Sequence, residues 1–104
     1  MSDPMAYLYE TGATEVAAML KCANLPYTGP ESFLYNQRTE ISRSADGETK
    51  LYADATPAIF YSLVSNGVTI QTGTGEEMLE LLITLLKAIE EDMIVLYPYD
   101  RKDF

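Results

Sequence analysis

Apolar positions along the chain switch between two periods, and the switches outline its elements. Ala6 to Tyr9 is a short apolar and aromatic run that predicts a strand. Glu10-Thr11-Gly12-Ala13 interrupts it, and Val16, Met19, Leu20 and Ala23 then recur at helical spacing. They predict a helix over about residues 13–23, with Thr11 or Thr14 as its cap. Asn24 supplies a left-handed stop before Leu25 and Pro26. Pro26, Gly29 and Pro30 mark a loop, and Phe33-Leu34-Tyr35 reads as a second strand. The stretch from Gln37 to Asp54 is the least regular. Thr39-Glu40-Ile41-Ser42 fits a strand or a helix, and Asp46-Gly47 is a turn signal. If the stretch is a hairpin, Glu48 to Ala53 is its returning arm.

The pattern sharpens after Ala55. Pro57 precedes Ala58-Ile59-Phe60-Tyr61-Ser62-Leu63-Val64, the nearly continuous apolar run of an interior strand. Asn66-Gly67 offers the two positive-φ residues of a tight hairpin turn, and Val68 to Thr72 alternates as a strand with one wet face. Thr74-Gly75-Glu76-Glu77 fits a capping box, and its carboxylates complement a helix N-terminus. Met78, Leu79, Leu82, Leu85, Leu86, Ile89 and Met93 then form one apolar stripe opposite Glu76, Glu80, Thr84, Lys87 and Glu91. A helix over about residues 75–92 follows from this spacing. Ile94-Val95-Leu96-Tyr97 reads as an added strand that Pro98 ends or places at an edge. A charged tail runs from Asp100 to Phe104. No repeat or low-complexity segment is present.

Composition narrows the chemistry. A chain of 104 residues, 47% hydrophobic with eight Tyr and three Phe, suits one domain with a modest core. No apolar run approaches the ~20 residues of a membrane-spanning helix. Met1 to Glu10 lacks the basic start and apolar stretch of a secretory leader, so the expected compartment is cytoplasmic. Seven Lys and Arg against sixteen Asp and Glu leave a net charge of −9, which disfavours binding to a phosphate backbone. That charge suits a solvated acidic helix face, a basic partner surface, or mimicry of nucleic acid in an inhibitor. With no histidine, Ser-His-Asp and Cys-His arrangements are excluded, as are His-containing zinc sites. The single cysteine, Cys22, permits no intrachain disulfide and no multi-cysteine metal site, and its neighbours make it a packing residue.

The order of elements, with a proline entering the hairpin, resembles the thioredoxin superfamily. Thr56-Pro57-Ala58-Ile59-Phe60, then Asn66-Gly67-Val68-Thr69-Ile70, then a capped helix, is similar to its closing strand-strand-helix unit. Tyr7-Leu8-Tyr9 and the helix through Ala17-Ala18-Met19-Leu20 resemble the opening unit. The spacing to Leu25-Pro26-Tyr27 looks most like the N-terminal domain of glutathione transferases and the glutaredoxins. The resemblance implies an α+β (α/β) thioredoxin-like domain over residues 1–92, with a mixed sheet, helices packed on it and an extra C-terminal strand within 93–104. It also implies a cis bond before Pro57.

In redox members a cysteine at the start of the first helix is activated by the helix dipole. Here Thr11-Gly12-Ala13-Thr14 stands in that place and Cys22 lies about two turns or more further on, so dithiol exchange is excluded. In glutathione transferases a hydroxyl near this point steadies the glutathione thiolate. The resemblance then offers Tyr7, Tyr9 or Thr11 for that role. It places Thr56 and Pro57 against the peptide part of glutathione, and Gln71 and Thr72 near its γ-glutamyl end, where a Thr or Gly replaces the family's Ser. The family's all-helical second domain, which supplies the electrophile pocket, has no counterpart in these residues. The expectation is therefore a redox-inactive binding module for a protein partner, a basic one on the ground of net charge, with an exposed final strand able to pair two chains into a homodimer. The alternatives are a minimal glutathione-binding transferase, or an acidic inhibitor that mimics nucleic acid. Neither nucleic acid nor membrane is expected as a partner. Leu25-Pro26-Tyr27-Thr28-Gly29 has the form of a sorting signal without its context, Gly73-Thr74-Gly75 is followed by phosphate-repelling carboxylates, and Glu90-Glu91-Asp92 reads as a solvated helix end.

Overall fold

The structure, a computed structural model, describes residues 8–56 and 58–93. The chain forms β1 (Leu8–Tyr9), α1 (Glu10–Cys22), β2 (Phe33–Leu34), β3 (Arg38–Arg43), β4 (Thr49–Ala55), β5 (Ile59–Ser65), β6 (Val68–Thr74) and α2 (Gly75–Glu90). It is a small α+β domain: two helices and a four-stranded antiparallel sheet, with β1 and β2 as a separate two-residue ribbon. Pro57, Tyr7 and the proposed strand Ile94–Tyr97 lie outside the described residues.

The irregular stretch resolves into a hairpin. Asp46-Gly47 makes the turn, with Gly47 at φ 75, and the Asp46 carboxylate accepts from the Ser44 hydroxyl at 2.5 Å and the Glu48 amide at 3.0 Å. β3 departs from simple alternation because its register shifts between Glu40 and Ser42. The bulge leaves Ile41 without an opposite residue, so Ile41 and Ser42 are both buried. The loop before the sheet lies along this strand. Ser42 Oγ donates to the Pro26 carbonyl at 2.9 Å, and the Thr28 amide donates to the Ile41 carbonyl at 3.1 Å.

The hairpin decides the sheet. The strand order β3-β4-β5-β6 follows the chain, and every pairing among the described residues is antiparallel. This corrects the mixed sheet expected from the resemblance. The reason is positional: β5 already has β4 on one side and β6 on the other, so no place beside it remains for a parallel first strand. β1 pairs instead with β2, Leu8 opposite Leu34 and Tyr9 opposite Phe33.

Alternation assigns the faces. Leu51, Ala53 and Ala55 on β4 stand opposite Leu63, Tyr61 and Ile59 on β5, all toward the helices. Lys50, Tyr52 and Asp54, opposite Val64, Ser62 and Phe60, form the outer face. The core closes when Val16 and Leu20 of α1 and Leu79, Leu82, Ile83 and Leu86 of α2 cover the inner face with Phe33 and Ile41. α1 approaches most closely at Gly12, where an added Cβ would collide with the Ile59 side chain.

Both helix C-termini share one device. Asn24 (φ 60) and Asp92 (φ 55) take the left-handed position, and the next amides, Leu25 and Met93, reach back to the Leu20 and Ala88 carbonyls at 2.9 and 2.8 Å. The capping box expected at Thr74 does not form: no side-chain cap bond is made there. Thr74 is still paired with Phe60 in the β5–β6 ladder, which directs its hydroxyl to the outer face. Gly75, at φ 86, makes the turn into the helix instead.

Candidate functional site

α1 and α2 lie side by side on the sheet with their C-termini at the same end. The Lys87 ammonium of α2 donates to the carbonyl of Ala23, just past α1, at 2.6 Å, and lies 3.5 Å from the Glu91 carboxylate. A cation on the orphan carbonyls at a helix end is favourable, and this one ties the two helices together. Between them runs an open groove of about 470 Å³, lined by Ala18, Met19, Cys22 and Ala23 from α1 and Glu80, Ile83 and Thr84 from α2.

Helical spacing explains this lining. Glu15, Ala18, Met19 and Cys22 fall at i, i+3, i+4 and i+7, one flank of α1; Glu76, Glu80, Ile83, Thr84 and Lys87 form the facing flank of α2. Small side chains at 18 and 23 leave the space open, Met19 and Ile83 make it apolar, and Glu80 sets a carboxylate in the lining, with Glu15 and Glu76 one turn earlier on the same flanks. Tyr61 senses two of these carboxylates. It is buried on β5, and its hydroxyl is pushed above the ordinary tyrosine pKa first by burial, then by the negative charges of Glu15 and Glu76. Two acidic side chains from different helices thus act on one phenol.

Cys22 lines this groove as an exposed free thiol. The reading of it as a packing residue is corrected: the buried side of α1 is Ala13, Val16 and Leu20, and Cys22 falls on the flank toward α2. The helix leaves Cys22 at its C-terminal end, where no free amides activate a thiolate.

The described residues singled out by the glutathione-transferase resemblance are distributed over three elements and a loop. Tyr9 ends β1 and Thr11 occupies the first turn of α1. Thr56 follows β4, and its amide donates to the Ala58 carbonyl at 3.1 Å. Gln71 and Thr72 lie within β6, two strands over. The Thr72 hydroxyl donates to the Tyr61 carbonyl at 2.9 Å and stands 3.0 Å from the Ser62 hydroxyl, on the sheet face away from the helices. α1 opens against Ile59, on the inner face. The structure therefore brings the start of α1 near β5 but sets Thr72 on the opposite side of the sheet.

A second concavity lies on the other flank of α1, lined by Ala13, Thr14, Ala17, Tyr27, Pro30, Glu31 and Ser32. Tyr27 closes its loop by donating to the Pro30 carbonyl at 2.5 Å, and burial raises its pKa. Among the described residues, no group of three or more His, Cys, Asp or Glu side chains is placed to hold a metal ion, and no helix is long and apolar enough to cross a membrane. Compared with known proteins, the chain matches no family model, no curated protein and no solved structure.

Sequence reasoning found the apolar stripes of both helices but missed the groove. The signal was the run of small residues and carboxylates beside each stripe, at Glu15, Ala18 and Cys22 and at Glu76, Glu80 and Thr84. Only the side-by-side placement of the helices turns two solvated flanks into one concave surface.

Proposed function

We propose that this protein is a non-catalytic binding module whose groove between α1 and α2 receives an amphipathic, basic segment of a partner protein. The observation that carries the reading is the combination of an apolar floor at Met19 and Ile83 with the Glu80 carboxylate in the groove lining, and with Glu15 and Glu76 one turn earlier on the same helix flanks. An apolar side chain of the partner would desolvate against the floor, while Lys or Arg on either side would meet the carboxylates. Binding of this kind has two separable parts, one screened by salt and one not. The likeness to the thioredoxin superfamily enters only through the order and spacing of the β5–β6–α2 unit, and no step of the binding reading depends on it.

The test is a titration with a synthetic peptide of leucine and lysine arranged on opposite faces of a helix, followed by amide shifts. Saturable shifts at Met19, Cys22, Ile83 and Thr84 are expected, with affinity falling as salt rises. Replacing Glu15, Glu76 and Glu80 together by Gln is expected to weaken binding about tenfold or more while leaving the fold intact. Unchanged affinity in that variant would sink the proposal. Glutathione provides the comparison: saturable shifts at Thr11, Thr56 and Thr72, with none in the groove, would favour the transferase-like alternative instead.

A further inference from the structure

The two edges of the sheet are treated differently. β3 carries Arg38, Glu40 and Arg43, has a bulge at Ile41, and is covered in part by the 26–28 segment. Charges, bulges and covering segments are the usual ways a free edge is kept from pairing with another chain. β6, the opposite edge, also has a register shift, at Ile70, but its sequence Val-Thr-Ile-Gln-Thr-Gly-Thr contains no charge and no proline. Among the described residues nothing pairs with its outer side.

Among the described residues, the helix beside this edge is also uncovered on one flank. Met78 of α2 packs over Gly73 of β6, where an added Cβ would come within 2.6 Å of the Met78 side chain. Met78, Leu81, Leu85, Ala88 and Ile89 share the flank of α2 turned away from α1. The one charged residue bordering this flank within the helix is Glu77, a turn before Leu81 at the N-terminal end. Leu81 is 46% exposed, and Val68, at the start of β6 on the same side of the sheet, is 43% exposed. A hydrogen-bonding edge and an apolar helix flank therefore lie next to each other on a molecule of net charge −9.

We propose that the β6 edge and the Met78–Leu81–Leu85–Ile89 flank of α2 form a homodimer interface. Two copies meet across a two-fold axis with their β6 strands antiparallel and their α2 flanks facing. A second copy is the occupant because the surface needs both a strand and an apolar helix side, and this chain presents the two in one piece. Two-fold symmetry requires such self-complementarity. Charge points the same way: two acidic molecules repel least where carboxylates are fewest, and here β6 has none and the helix flank has only Glu77 at its N-terminal border. Antiparallel pairing sets Glu76 and Glu77 of one copy toward the uncharged Asn66-Gly67 turn of the other, whereas parallel pairing would set like charges together. The strand edge alone falls short of the roughly 800 Å² per partner of a stable interface, so the helix flank is needed to complete it. This interface lies on the other flank of α2 from the peptide groove and stands independently of it.

Sedimentation equilibrium of the full chain over a wide concentration range tests the proposal. A dimer is expected, weakened about tenfold or more by Gln71→Lys, which sets like charges near the axis, and by Leu81→Glu on the helix flank. Circular dichroism and cooperative unfolding establish that each variant is folded. Hydrogen exchange supplies the second measurement, with β6 amides becoming more protected as concentration rises. A monomer at all concentrations overturns the proposal, as does a dimer indifferent to both substitutions. Protection of β6 independent of concentration would also overturn it, since the chain's own Ile94–Tyr97 segment or another part of the same molecule would then be covering the edge.

Discussion

Several residues do a different job from the one their local sequence advertises. Thr74 has the neighbours of a helix cap, yet strand pairing holds its side chain on the far face of the sheet. Thr74→Ala is expected to change stability by less than about 0.5 kcal/mol, against the ~1 kcal/mol typical of a working cap. Urea denaturation distinguishes the two. Gly75, at φ 86, is the residue the helix start depends on, and Gly75→Ala is expected to cost about 1 kcal/mol or more. At the other end of α2, Asp92 holds the left-handed position with its negative charge at the negative end of the helix dipole. Asp92→Gly relieves both strains, and a gain of up to about 1 kcal/mol is expected in the same assay.

At the scale of elements, the strongly periodic parts were legible and the short or irregular parts were not. The α2 helix was legible because 3.6-residue spacing over 16 residues has no competing interpretation, but its buried side is Leu79, Leu82, Ile83 and Leu86: Ile83 lay outside the stripe the sequence suggested, and Met93, within it, is 71% exposed. Leu82→Ala, at a fully buried point of that stripe, is expected to destabilise the protein by about 2–5 kcal/mol, measured by urea or thermal unfolding. The Asn66-Gly67 turn was equally clear, and both residues take positive φ, 53 and 78. β3 was ambiguous because its bulge turns Ile41 and Ser42 inward together, which breaks the alternation by which a strand is recognised. α1 begins at Glu10 rather than near residue 13, directly after β1; Gly12 is accepted because close packing on Ile59 needs a residue without a side chain.

For the whole molecule, charge is unevenly laid out. Three of the seven basic residues, Arg38, Arg43 and Lys50, stand on the outer face of the sheet with Glu40 and Asp54, in ion pairs of 2.7 to 3.8 Å. The helical layer carries most of the acidic excess. Stability should also respond to pH in a defined direction. Tyr27 and Tyr61 both have folded-state pKa values raised above 10.0, chiefly by burial. Their protonated forms therefore support the fold fully below the unfolded value, and that support is lost as pH rises through the raised values. Tyrosinate absorbance and circular dichroism recorded together are expected to show unfolding above pH ~10 accompanying ionisation of these two side chains. On the acid side, Asp46 is held below its usual pKa by the Ser44 hydroxyl and the Glu48 amide, so its contribution fades as pH falls below about 4. Being fully exposed, it makes a small effect.

The sequence by itself determined the local features of this protein: both helices and most of their apolar positions, the two tight turns, the left-handed stop at Asn24, the acidic balance and the exclusion of dithiol and histidine chemistry. These depend on residue type and short-range spacing, which a sequence states directly. Tertiary structure alone decided the rest. Strand pairing set β4 beside β5 and closed that position to a parallel first strand, which replaced the expected mixed sheet with an antiparallel meander. The same packing put α1 next to α2, so that Met19, Cys22, Glu80 and Ile83, on two separate helices, came to share one groove. Among the described residues it also left the outer edge of β6 and one flank of α2 without a neighbour. Periodicity tells which side of an element is apolar, but which element will face it is a property of the assembled sheet.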